Sequence, residues 1–300
     1  MTTPAANEWQ RVYRALYRTR AFDRTALALQ RQGVIEAYSE ARGQEAALIG
    51  PCLDLTERDM VFPDARGAGV AMERGVTIAE LFDWFRGEDY CPWDWRRTGY
   101  YAHPIPVGVQ TSMATGWAWA ARLRGEDAVA VSYFGDGAAS QGEVHEAMNY
   151  AGVFEVPVVF LLVNNGWAIS TPASRQTRAE RVSVRARGYG FEGETVDGND
   201  VDAVRAATRA AIDRARAGGG PTLVEAVTYR LGGHTTSDDP KRYRTAAEQE
   251  LWEGRDPVAA KRERLLGEGV GEDEITAVES TVEDEITAAI DAYLEQRGLG

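Results

Sequence analysis

The stretch FGDGAASQGE, residues 134–143, sets a carboxylate, Asp136, between Gly135 and Gly137 directly behind the apolar run AVAVSYF. Glycine-rich turns after strands offer backbone N–H groups to phosphates, and a carboxylate placed there repels a bare phosphate. It does not repel a phosphate that carries a divalent cation. Mg²⁺ takes about six oxygen ligands, commonly one or two carboxylates plus substrate phosphates. Further along, VPVVFLLVNNGW sets Asn164 and Asn165 behind a second apolar run, and PTLVEAVTYRLGGH sets His234 behind a third. Asp136 supplies a carboxylate, Asn165 an amide oxygen, and the NNGW turn a backbone carbonyl. Gly137 and Ala138 are expected to open a helix whose free N–H groups attract diphosphate oxygens. The cation then offsets the charge of both diphosphate and aspartate. The rival reading, a dinucleotide fingerprint G-x-G-x-x-G, fails on particulars. Ser140 replaces the third glycine, an acid stands nearest the phosphates, and the second apolar run ends in asparagines rather than a ribose-binding acid.

These residues need a scaffold that brings three distant segments together. Residues 7–32 read as an amphipathic helix, with Trp9, Val12, Tyr13, Leu16 and Tyr17 at helical spacing. Short helices are expected at 43–50, 68–74 and 77–87, an aromatic and proline-rich loop at 88–106, and a helix at 110–124 whose Ala114, Ala118 and Ala121 allow close approach of another helix. A strand at 128–134, a helix to about 152 and a strand at 157–163 follow. Two more strands, 193–198 and 221–231, flank a helix at 200–217. From about 245 the chain reads as two or three outer helices. The near-continuous apolar strands suit a parallel sheet covered on both faces. The expected fold is therefore α/β, an open doubly wound parallel sheet with helices on both faces. It forms one domain across residues 1–300, with an N-terminal helical arm at about 1–50 and a C-terminal helical extension at about 245–300. Ligands of such sheets sit beyond the C-terminal strand ends, where Asp136, Asn165 and His234 would meet.

Composition removes several alternatives. A net charge of −13 argues against a nucleic-acid binder. Lys241 and Lys261 are the only lysines, so a phosphate-loop lysine is absent and a lysine Schiff base is not expected. Cys52 and Cys91 form neither a metal pair nor a disulfide framework. No apolar run has the length of a membrane span, and MTTPAANEWQ lacks a basic region followed by an apolar stretch. The expectation is a cytoplasmic protein with no membrane or nucleic-acid partner. Of the other histidines, His145 is expected as a buried, satisfied imidazole, and His103 is undecided.

The pairing of GDG at 135–137 with NN at 164–165 resembles the thiamine-diphosphate motif. The chain resembles the alpha subunit of the thiamine-dependent first component of 2-oxoacid dehydrogenase complexes, nearer the branched-chain type than the pyruvate type. RGQEAALIG, FGDGAASQGE, NNGWAISTP, VDGNDV and EAVTYRLGGHTTSDDPKRYR carry the likeness over most of the chain. The resemblance implies thiamine diphosphate and Mg²⁺ as cofactors, with Asp136, Asn165 and the Trp167 carbonyl as metal ligands. It implies that Gly135, Gly137, Ala138 and Ala139 line the diphosphate, that Arg66 reaches a phosphate oxygen and that Val107 contacts the aminopyrimidine. His234 becomes the catalytic histidine near the cofactor, and 234–244 the loop that meets a lipoyl domain, ordered by Arg230 and Asp238. The implied activity decarboxylates a 2-oxoacid and passes the acyl group to the lipoyl arm of an acyltransferase. The implied partner is a beta subunit, in an assembly of two alpha and two beta chains, which supplies the glutamate that activates the aminopyrimidine; Glu143 and Glu146 of this chain lie at the diphosphate end.

Departures from the family pattern are local. A second active-site histidine is missing: one region carries CPWDWRRTGYYAHP and the other offers Ser39. Ala65 stands where a tyrosine often precedes the phosphate arginine, and Val163 where a charged residue often precedes the asparagines. They motivate an alternative, a two-subunit thiamine-dependent decarboxylase or acyloin-forming carboligase that does not use lipoate. A third reading, a non-catalytic relative that only binds a partner, ranks last because the metal ligands are intact.

Overall fold

The computed structural model describes residues 7–299. Residues 1–6 and 300, the outer ends of the two expected helical arms, lie outside it. The chain opens with α1 (Glu8–Arg31), whose Gln10 side chain accepts from the Asn7 N–H at 3.0 Å. It continues through α2 (Glu45–Cys52), β1 (Met60–Phe62), α3 (Ala68–Glu73) and α4 (Ile78–Phe85). Thr77 and Glu80 satisfy each other's backbone N–H groups at the start of α4, a reciprocal cap legible in the sequence. The stretch 88–106 is not a free loop. It contains the single turn α5 (Trp95–Thr98), buries Trp93 and Tyr100, and is pinned by the Trp93 indole donating to the Tyr100 carbonyl at 2.9 Å.

Then follow α6 (Val109–Leu123), β2 (Ala130–Gly135), α7 (Gly142–Val153) and β3 (Val158–Asn164). A two-residue hairpin comes next, β4 (Trp167–Ala168) against β5 (Thr171–Pro172), and then α8 (Ala173–Gln176). The rest comprises a 3₁₀ stretch at Val182–Tyr189, β6 (Glu192–Asp197), α9 (Val201–Arg216), β7 (Thr222–Val227), α10 (Ala246–Glu253), α11 (Pro257–Gly267) and α12 (Glu272–Arg297). Among the described residues no helix is long and apolar enough to cross a membrane.

Five strands form one sheet in the order β1-β2-β3-β7-β6, with every neighbouring pair parallel. Alternate residues of the central strands feed two apolar cores. Val131, Tyr133, Val159, Leu161 and Val163 join the core that includes α1, α2, α9 and α12. Ala130, Phe134, Val158, Phe160 and Leu162 join the core that includes α6 and α7. Burial on both faces is why these strands read as unbroken apolar runs. Ala114, Ala118 and Ala121 are fully buried, so the small-residue stripe of α6 is internal packing.

Two expectations are corrected. The helix expected from Gly137 and Ala138 is a 3₁₀ turn at Ala138–Ser140, and α7 starts only at Gly142 because Gln141 is extended (ψ 138°). The strand expected over 221–231 ends at Val227. The following residues leave the sheet to bond the backbone before α2: the Thr228 hydroxyl donates to the Gly43 carbonyl at 2.8 Å, and the Leu231 N–H to the Arg42 carbonyl at 3.0 Å. β1 was not anticipated, since three residues carry no readable period.

Gly43 makes that junction possible. Its φ is +88°, and a Cβ built on it would lie 2.4 Å from the Tyr229 carbonyl oxygen. Gly43→Ala should cost at least about 1–2 kcal/mol from the left-handed backbone alone, with the clash added. Scanning calorimetry should show a fall in Tm of several degrees, and an unchanged Tm would mean that the 42–43 and 228–231 segments do not pack this way.

Candidate active site

Because β2, β3 and β7 are adjacent and parallel, their C-terminal ends share one edge of the sheet. Asp136 follows β2 directly, Asn165 follows β3, and His234 lies on the segment leaving β7. A cavity of about 340 Å³ lies between them, lined by Arg66, Val107, Asp136, Asn165, Trp167 and His234, with Gly135, Gly137 and Ala138 in its wall. Ser39 lines it as well. Ala139 does not: it is buried, and its carbonyl accepts from Arg185 at 2.5 Å. Asn164 turns elsewhere, its Nδ2 donating to the buried Glu225 at 2.7 Å and its Oδ1 accepting from the Gly166 N–H at 3.1 Å. It stitches β3 to β7, whereas Asn165 faces the cavity.

The polar wall around Asp136 is made of oxygen. Asp136 is 5% exposed, and burial holds its carboxyl above the usual carboxylate range. The Gln176 Nε2 donates to its Oδ2 at 2.6 Å. Asn165 Oδ1 accepts from the Trp167 N–H at 3.1 Å, and its Nδ2 donates to Gln44 Oε1 at 3.0 Å. The Trp167 carbonyl accepts from Arg230 Nη1 at 3.4 Å. Carboxylate, amide oxygen and carbonyl suit a hard cation such as Mg²⁺. Among the described residues no group of three His, Cys, Asp or Glu could hold a metal. A cation here would have a single protein carboxylate, Asp136, beside neutral oxygens.

The β4–β5 hairpin is laid onto this wall closely. A Cβ at Gly137 would come within 2.8 Å of the Ala168 Cβ, so only glycine lets the Asp136 turn approach. Ile169, at the hairpin tip, has φ +56°, a left-handed conformation rare for a β-branched residue. Such strain costs of order 1–3 kcal/mol and persists only where neighbours impose it. Arg230 Nη2 holds the Ile169 carbonyl at 3.1 Å.

Buried cations stand in the same lining. Arg66 (7% exposed) donates to the Glu40 carbonyl at 2.6 Å and to the His234 carbonyl at 2.8 Å. Arg230 is 1% exposed, and burial together with Arg66 and Arg244 lowers its pKa to about 10. Burial, then Arg66 and Arg230, push His234 down to about 4. Its Nδ1 lies 3.4 Å from Arg66 Nη2 and 3.5 Å from Arg230 Nη1, so Nδ1 accepts and the proton is assigned to Nε2. The sequence leads to the expectation of a histidine titrating near neutrality; burial first, and then the two guanidinium groups, lower it in the free chain.

Asp238 orders the segment beyond, accepting from the His234 N–H at 2.7 Å and from the Tyr243 hydroxyl. Arg230 Nη2 reaches Tyr243 at 3.2 Å, and Arg244 Nη1 donates to the Arg230 carbonyl at 2.6 Å. Arg230 and Asp238 thus both make contacts in this segment; Tyr243 and Arg244, which join them, were not singled out in the sequence although both stand in the quoted DDPKRYR.

The other histidines do not line the cavity. His103 is fully buried among Trp84, Trp93 and Tyr100, and burial pushes it down to about 3. Its Nε2 lies 2.6 Å from the Tyr100 hydroxyl, which makes it a core residue. His145 is half-buried rather than buried, and it is satisfied by Tyr189. Glu143 and Glu146 lie on α7 away from the lining; the lining carboxylates are Asp64 and Asp136. Gln44 and Gln176, which touch the two principal oxygen donors, were not singled out in the sequence.

The sequence matches the family model described as "Dehydrogenase E1 component" over residues 13–297. It is 44% identical over 283 residues to a protein of Mycobacterium tuberculosis (strain ATCC 25618 / H37Rv) named "3-methyl-2-oxobutanoate dehydrogenase subunit alpha", covering 93% of this chain and 77% of that one. It is 39% identical over 274 residues to the Staphylococcus aureus (strain COL) "Pyruvate dehydrogenase E1 component subunit alpha", covering 91% and 74%. With the match spanning nearly its whole length, the chain belongs to the dehydrogenase E1 component family.

Proposed function

We propose that this chain is the alpha subunit of a thiamine-diphosphate-dependent 2-oxoacid dehydrogenase, which decarboxylates a 2-oxoacid and delivers the acyl group to a lipoyl domain. The observation that carries the reading is the juxtaposition of one carboxylate and two neutral oxygens with the buried Arg66 and Arg230 at one edge of a parallel sheet. Such a wall fits a diphosphate with its cation and little else. Family membership implies thiamine diphosphate. We assign Mg²⁺ to Asp136, Asn165 and the Trp167 carbonyl. The diphosphate goes to Arg66 and the backbone of Gly135, Gly137 and Ala138, with Ala139 behind them, and the aminopyrimidine to Val107. The sheet is then of the doubly wound thiamine-diphosphate-binding type, one domain with its two helical arms. The names of the relatives favour a small 2-oxoacid, and they give no support to a lipoate-independent decarboxylase or carboligase.

When bound, thiamine diphosphate supplies the nucleophilic carbon and the electron sink for decarboxylation. The chain's own residues grip, orient and manage protons. Arg66 and Arg230 offer fixed, buried guanidinium groups at the cavity wall, so an anionic ligand can be held without reorganisation. Burial and the guanidinium groups lower the pKa of His234, and an anion that offsets those groups would raise it toward the range in which an imidazole exchanges protons. The neutral ring can donate a hydrogen bond from Nε2, and the imidazolium form is the one that can give up a proton. Asp238 and Tyr243 hold the 234–244 segment in place for a lipoyl-bearing acyltransferase. A beta chain completes the site in a cytoplasmic assembly of two alpha and two beta chains.

Asp136→Ala should abolish Mg²⁺-dependent binding of thiamine diphosphate, measured by calorimetry on the alpha–beta complex, while the fold survives. Unchanged affinity would show that the cation is held elsewhere.

His234→Ala should bind cofactor and lose turnover by roughly 10²–10⁴-fold; normal turnover would leave His234 as a strand-end cap. The same variant tests the electrostatics. The folded value of about 4 lies below the ordinary 6.5, so unfolding takes up a proton between these values. The contribution of the neutral imidazole is complete above pH 6.5 and lost as pH falls toward 4. Melting curves across that window should fall less steeply for His234→Ala than for the native chain, and parallel curves would contradict the depressed value.

Purified alone, the chain should be inactive and retain thiamine diphosphate poorly. Adding a beta chain should restore both properties and shift the mass to a heterotetramer. Full activity of the isolated chain on any 2-oxoacid would sink the two-subunit reading.

A further inference from the structure

We propose that Gln44 is a positioning residue for the metal site: it fixes the amide of Asn165 so that the oxygen, not the nitrogen, is presented to the cation. The proposal rests on the reading of Asn165 as a ligand to Mg²⁺. An asparagine amide is nearly symmetric in shape, so hydrogen bonds alone decide which end points where. One partner of Asn165 cannot turn round. The Trp167 N–H is a backbone donor, and it takes Oδ1 at 3.1 Å. Nδ2 then meets Gln44 Oε1 at 3.0 Å, an acceptor matched to a donor. A reversed Gln44 amide would oppose two NH₂ groups, and a reversed Asn165 would oppose its NH₂ to the Trp167 N–H. The two contacts therefore permit one orientation. The Asn165 oxygen keeps a second lone pair for a cation.

Gln44 is built rigidly for this. Its side chain is fully buried, it immediately precedes α2, its N–H donates to the Ala41 carbonyl at 2.8 Å, and its carbonyl accepts from the Leu48 N–H at 3.0 Å. It also leaves its own Nε2 with no partner. Buried donors are rarely left unpaired. A leucine or methionine would fill the same space with no such loss, so packing does not explain a glutamine here. The acceptor it offers Asn165 does. Gln176, donating to Asp136 at 2.6 Å, is the corresponding contact on the carboxylate. Residues that orient metal ligands typically change metal affinity by roughly 10–100-fold when replaced.

The test uses the alpha–beta complex, with thiamine diphosphate titrated calorimetrically over a series of Mg²⁺ concentrations. Q44M, close in volume but without an acceptor, should raise the Mg²⁺ needed for half-maximal binding by roughly 10–100-fold. Its kcat at saturating Mg²⁺ and cofactor should fall far less. Q44E, which keeps an oxygen facing Asn165, should stay within about threefold of the native complex, well below the roughly 10–100-fold change expected for Q44M. A Q44M complex with the native Mg²⁺ requirement overturns the proposal, and so does Q44E if it is as weak as Q44M. If Q44M fails to assemble, Q44A is judged by the same comparison. A native complex whose binding ignores Mg²⁺ refutes the metal site itself; native dependence with an unaffected Q44M refutes only the role of Gln44.

Discussion

Arg230 is the contact on which the site turns. Its guanidinium, 1% exposed, donates to the carbonyls of Trp167 and Ile169 and to the Tyr243 hydroxyl, and lies beside Nδ1 of His234. One side chain thus joins the exit of β7, the hairpin after β3 and the segment beyond His234. Burying a cation costs several kcal/mol unless charge and hydrogen bonds offset it. The chain supplies only part of that offset. Arg66 and Arg244 lie close enough to lower the pKa of Arg230, and the Nε of Arg230 and the Nη2 of Arg244 lack acceptors. Three guanidinium groups thus crowd together beside the cavity with some of their N–H groups unpaired, and on the proposed reading an anionic ligand would pair with them. The strained Ile169 belongs to the same economy, since its carbonyl is one of the few partners Arg230 has.

Much of the site was legible in the sequence because it obeys one rule. In a parallel sheet, polar residues straight after apolar runs meet at one edge, and Asp136, Asn165 and His234 each stand there. Strand and helix existence followed from apolar periodicity for the same reason, because both faces of the sheet are covered. The rest depended on contacts across long stretches of chain. Gln44 meets Asn165 at a separation of 121 residues, and Arg66 meets His234 at 168, so neither the amide chain nor the suppressed imidazole has a local pattern. The segment 88–106 reads as a loop by its prolines and aromatics. Its order comes from burying Trp93, Tyr100 and His103 beneath α4 and β1, which composition does not reveal. Asn164 and Asn165 look equivalent as letters, yet only the buried Glu225 decides that the first belongs to the sheet.

The proposed assignment would also account for a single carboxylate at the metal site. A second acid beside Asp136 would raise metal affinity in the free chain, but it would repel a diphosphate arriving with the metal. With one acid and two neutral oxygens, cation and diphosphate would each complete the other's coordination, and neither would bind well alone. The proximity of Arg230 to both the Trp167 carbonyl and His234 makes the proposed metal site and the buried cations one electrostatic unit.

The lining also contains Ile105 and Val107, 73% and 61% exposed, large apolar residues next to polar ones. The carboxylates in the lining are Asp64, whose Oδ1 accepts from the Arg66 N–H at 2.9 Å, and Asp136, which we assign to the cation. Apolar residues exposed beside polar ones are one mark of a surface that another chain covers, and family membership implies a beta subunit as that chain. On the proposed reading the beta subunit would cover Ile105 and Val107, which ties the two-subunit assembly to the lining of the cavity and not merely to size or symmetry.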